Sequence, residues 1–104
     1  MRLTLTFDAK GCAVRVPFFF ASNEETKSFI RLCDAIKLWG EVAHKNCKAY
    51  CHSWRGESAM YSADCLGGYI TILVTNADGY SSKTTYKITE TIQEAFAEAK
   101  KKLG

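Results

Sequence analysis

Proline occurs once in this chain of 104 residues, histidine twice, and glycine only seven times. So little punctuation excludes a collagen-like, linker-rich or low-complexity protein. Charge is scarce as well. With 24% charged and 47% hydrophobic residues, the chain lies far from the disordered regime, in which too little apolar surface is available to offset chain entropy. Long apolar runs are missing. The most apolar window, residues 14–21, contains Arg15 and Pro17 and falls well short of the roughly 18 apolar residues of a spanning helix. Threonines alternate through Met1-Arg2-Leu3-Thr4-Leu5, so no secretory leader is expected, and the expected location is the cytoplasm.

Two further shortages bound the function. A net charge of +3 and a pI of 8.6 permit contact with nucleic acid without demanding it, since dedicated binders of this size usually exceed a pI of about 9. The five cysteines, Cys12, Cys33, Cys47, Cys51 and Cys65, are odd in number and so cannot all pair within the chain. Free thiols in a reducing compartment are the expectation. A chain of this length is read as one domain over residues 1–104, because halves would be too small for a stable core.

What is present is patterned. Leu3, Leu5 and Phe7 alternate with threonines, Asp8-Ala9-Lys10-Gly11 supplies turn chemistry, and Val14, Val16 and Phe18 resume the alternation. This predicts an opening β-hairpin, with Pro17 placing its second strand at an edge or at its own end. Ser22 with Glu25 predicts a capping box, and Phe29, Leu32, Cys33, Ile36 and Ala43 follow helical spacing, with the helix ending between His44 and Lys48. Strands are predicted around Tyr50–Trp54, Ala59–Ala63, Tyr69–Thr75 and Tyr80–Ile88, separated by glycine-bearing turns. Thr89 or Thr91 caps a closing helix whose glutamates lie early and lysines late, matching its dipole. The expected fold is an α+β two-layer sandwich of order β-β-α-β-β-β-β-α, with a mostly antiparallel sheet and two helices on one face. Exposed threonines, serines and lysines in the last hairpin imply an open second sheet face.

Chemistry is thinly encoded. His44, Cys47, Cys51 and His52, with Cys65 as a distal candidate, are the residue types zinc prefers. Their spacing lacks the tight Cys-x-x-Cys knuckle, and no metal is assigned. Cys51 and His52 would point to opposite faces of a strand, which argues against a thiol–imidazole pair. The carboxylates occupy turns and helix faces, and Gly67-Gly68 leads into a strand rather than a phosphate-binding helix. No cofactor or catalytic residue is assigned, and the chain is not expected to be an enzyme.

Two binding readings remain. Three consecutive phenylalanines, Phe18 to Phe20, cannot all face one core from a strand, which makes Phe19 a docking candidate. Lys45, Lys48 and Arg55 are interleaved with Tyr50 and Trp54, a pattern suited to phosphates and stacked bases unless the aromatics form the inward face of the strand. The expectation is a small binding module with a protein partner, of the accessory or inhibitor type that phages and mobile elements encode. Nucleic-acid binding through residues 37–55 is the alternative, and a metal protein or small enzyme at residues 44–65 the second alternative. No membrane contact is expected, and an edge strand with spare aromatic surface suits a homodimer.

Overall fold

Alternating apolar residues in the first strands bury one face and wet the other, and this pairs them in one register. The computed structural model describes residues 2–37 and 50–103, with Tyr50 described in its backbone alone. Its elements are β1 (Arg2–Ala9), β2 (Cys12–Phe19), α1 (Asn23–Lys37), β3 (Tyr50–Arg55), β4 (Ala59–Leu66), β5 (Tyr69–Asn76), β6 (Ser81–Lys87) and α2 (Glu90–Leu103). The α+β class and the element order are those expected from the sequence. The six described strands divide into two antiparallel sheets, a β1-β2 hairpin and a meander ordered β3-β4-β5-β6.

Pro17 gives a reason for the division. Ala9 and Cys12 close the hairpin loop, and hydrogen-bonded pairs alternate with non-bonded ones from there. Thr4 and Pro17 are then a non-bonded pair, so residue 17 would direct its N–H away from β1, where proline has none to offer. The outer edge of β2 therefore lacks a donor at that point. Leu3, Leu5 and Phe7 of β1 and Phe18 of β2 lie on the buried face of this hairpin.

The meander buries Trp54 of β3, Tyr61, Ala63 and Cys65 of β4, and Ile70 and Ile72 of β5. Helix α1 contributes Phe29, Leu32, Cys33 and Ile36, and α2 contributes Ile92, Phe96 and Ala99. Rings from β2, β3, β4 and both helices meet in this core. Phe29 stacks on Phe96 and meets Phe18, Phe20 and Trp54 edge-on or tilted, with centroids 5.3–5.8 Å apart. Trp54 stacks on Tyr61 with 2° between the ring planes. Such pairs contribute about 0.5–1.5 kcal/mol each beyond the area they bury, so this cluster joins both helices to both sheets.

The helix starts differ in one respect from the pattern in the sequence. Glu25 does not close a box on Ser22; its carboxylate accepts the backbone N–H of Arg55 at 2.7 Å, tying the first turn of α1 to the end of β3. Thr89 is the residue before α2, and its hydroxyl lies 3.5 Å from the N–H of Ile92. Thr91 instead reaches the carbonyl of Asp8 at 3.4 Å. Lys100 pairs with Asp34 across the two helices. The expected continuation of the first helix beyond Lys37, to an end between His44 and Lys48, lies outside the described residues.

Candidate functional site

Strand geometry sorts the chemistry-bearing residues of residues 50–87 onto two faces. Register pairs His52 with Ala63, Ala63 with Ile72, and Ile72 with Thr84, all directed to the inner face of the meander. Their neighbours, including Cys51, Asp64, Thr71 and Thr85, form the outer face. Among the described residues no helix or strand covers that outer face. Hydroxyl pairs line it, Thr71 with Thr85 at 3.0 Å and Thr75 with Ser81 at 3.1 Å.

Apolar residues sit among these hydroxyls. Met60 is 50% exposed and Leu66 62%, at opposite ends of β4, and half-buried Leu73 lies between them on β5. Arg55, Lys83 and Lys87 share the face, with Asp64 as its acidic residue. The face is thus polar and mildly cationic, with apolar side chains spaced along β4 and β5 among the hydroxyls.

The residues singled out from sequence are scattered across the molecule. Trp54 is 1% exposed and engaged by four aromatic rings, so the inward-face alternative describes it, and it is not available to stack on a base. Arg55, next along the strand, is exposed on the opposite face. Phe19 does find a second partner, and its own chain supplies it. The ring is half-buried beside the core, with the Arg2 guanidinium 5.6 Å from its centroid. Lys45, Lys48 and the Tyr50 side chain lie outside what is described, as do His44 and Cys47.

The thiols and imidazole are equally dispersed. Cys65 points into the core, and burial, with nearby Asp64, pushes its thiol up to about 12. Cys51 points outward, and its thiol is also raised, chiefly by a hydrogen bond with the Asp64 side chain. His52 faces inward, and burial followed by the charge of Arg31 lowers its pKa. Cys51 and Cys65 therefore occupy opposite faces of one sheet, and no group of three ligand-type side chains converges among the described residues. Raised thiols are protonated at neutral pH and are poor nucleophiles.

The outer-face residues Met60, Leu66 and Leu73 were not singled out as candidates. Alternation along residues 59–66 places Met60, Ser62, Asp64 and Leu66 together, and this signal was available in the sequence. No family model, curated protein or solved structure matches the chain. No described helix is long and apolar enough to cross a membrane.

Proposed function

We propose that this protein is a small binding module that docks a protein partner on the outer face of the four-stranded sheet. The observation that carries the reading is the exposure of Met60 and Leu66, with Leu73 between them, on a face that no described element covers. An isolated exposed leucine is ordinary, but several apolar side chains spaced along one uncovered sheet face offer contacts that water solvates poorly. Arg55, Lys83 and Lys87 around them favour a partner whose contact surface is apolar with an acidic margin. Among the described residues the thiols and the His52 imidazole do not converge, which supports binding rather than catalysis.

Nucleic acid is the weaker reading. The face offers cations for phosphates, but Trp54 is occupied in the core. The test is affinity purification from the native cell, with proteins identified by mass spectrometry and nucleic acid by sequencing. The chain is compared with a Met60→Glu/Leu66→Glu variant. Both residues are exposed, so the variant should fold with an unchanged circular dichroism spectrum. A specific protein captured by the native chain and lost from the variant supports docking. Equal capture by the folded variant, or capture of nucleic acid alone, refutes it.

A further inference from the structure

Beside the hairpin tip lies a cleft of about 590 Å³, a volume that suits a small molecule. Its walls come from the end of β1, the start of β2 and the adjoining ends of β5 and β6. Val14 and Tyr86 form apolar wall, and the ring of Tyr86 is held edge-on by Phe7, with ring centroids 5.0 Å apart and planes at 86°. Tyr69 stands at the rim, 50% exposed, with no ring partner among the described residues. Lys10 and Lys87 also line the cleft, and neither ammonium has an ion pair among the described residues. Asp8 is the one carboxylate in the wall.

The backbone adds an independent observation. Lys10 and Gly11 form the hairpin's two-residue loop, with φ of 53° and 81°. Positive φ at both positions is what a type I′ turn requires, and asparagine or glycine takes the first position with less strain than lysine. Lys10 is the one non-glycine residue with positive φ among the described residues. A strained backbone that holds a cation beside a cleft is a reason to look for a ligand there.

We infer that this cleft binds a small anion carrying a planar ring, with the ring against Val14 and Tyr86 and the phosphate or carboxylate at the rim, near Lys10 and Lys87. The two ammonium groups outnumber the carboxylate of Asp8, so the anionic end is favoured. The apolar wall of Val14 and Tyr86 favours a flat hydrophobic body over a bare ion. The site lies at the Tyr69–Lys87 end of the sheet, away from Met60. Lys87 at its rim is also one of the cations of the docking face, and the ligand titration needs no protein partner.

The test is a titration of the full chain followed by amide chemical shifts. The probes are adenosine monophosphate, indole-3-acetate, adenosine and inorganic phosphate. The two ring-bearing anions should shift the amides of Ala9, Lys10, Tyr69 and Lys87 in the millimolar range or below, and the tighter of them tells phosphate from carboxylate. Adenosine and phosphate, each lacking one half of the pattern, should bind more weakly. Lys10→Asn removes the charge while suiting the turn, so it should weaken the anions about three- to fivefold, as loss of an exposed ion pair would. The same variant should melt no lower than the native chain. Lys87→Thr should give a similar loss from the opposite wall. Unshifted amides with both anions, adenosine binding as tightly as its monophosphate, or undiminished affinity in both folded variants would overturn the assignment.

Discussion

Gly56 leaves no room for a side chain, and adding one methyl group there tests the packing directly. A Cβ at this position would stand 2.6 Å from Cε2 of Tyr61, 3.0 Å from the carbonyl oxygen of Phe19 and 3.3 Å from that of Ala59. The last contact cannot open easily, because the N–H of Gly56 donates to the same Ala59 carbonyl at 2.8 Å. Nor can the Tyr61 ring swing aside. It stacks on Trp54 at 5.7 Å and meets Phe18 edge-on at 5.9 Å. Overpacking of this kind costs about 1–3 kcal/mol, and the alanine recovers about 0.4–1 kcal/mol by restricting the unfolded chain. Taking the middle of each range, Gly56→Ala should therefore lose about 1.3 kcal/mol, and each kcal/mol lowers the midpoint of thermal unfolding by roughly 4–8 °C. Urea unfolding of four chains completes the measurement: native, Gly56→Ala, Tyr61→Leu and the double variant. Leucine withdraws the ring edge, so the cost of Gly56→Ala should fall by about half or more in that background. A cost below about 0.5 kcal/mol, or an equal cost in the native and Tyr61→Leu backgrounds, would show that the ring is not what the methyl group meets.

Two further predictions concern titratable groups. His52 is held below its ordinary value of 6.5, so the unfolded chain takes up this proton first as pH falls. Its contribution to stability is present well above 6.5 and lost as pH drops through and below that value; urea midpoints from neutral to mildly acidic pH should show the decline, and His52→Leu should flatten it. A slope unchanged by the substitution refutes this assignment. Among the described thiols, Cys33 and Cys65, both pushed to about 12 by burial, should resist iodoacetamide in the folded protein, whereas exposed Cys12 and Cys51 should react. Because Asp64 raises Cys51, Asp64→Asn should speed alkylation at Cys51 and leave Cys12 unchanged, as read by peptide mass spectrometry.

The parts of the fold visible in the sequence were those with a single dominant period. Leu3, Leu5 and Phe7 alternate without competition, and the stripe of Ile92, Phe96 and Ala99 admits one helix face. Residues 50–55 were ambiguous for a physical reason. Tyr50, His52 and Trp54 alternate with Cys51, Ser53 and Arg55, and both sets mix polar with polarisable groups. Which set turned inward depended on rings from elsewhere, Phe18 and Phe29, that no local pattern contains. Pro17 hinted at an edge, yet two separate sheets satisfy that hint as readily as one. The outer face was anticipated as open, from the hydroxyl and lysine residues of the last hairpin. Its apolar residues were harder to see, because exposure of Met60 and Leu66 depends on nothing packing over β4.

The two sheets are joined by rings far more than by backbone. The N–H of Ala21 donating to the carbonyl of Arg55 at 2.8 Å is a main-chain link between the hairpin's end and the meander. A seam made of side chains has no ladder to unzip. Removing one ring from it would loosen the two sheets against each other while each kept its own hydrogen bonds. Damage at the seam would then appear as lost aromatic asymmetry before any loss of strand content.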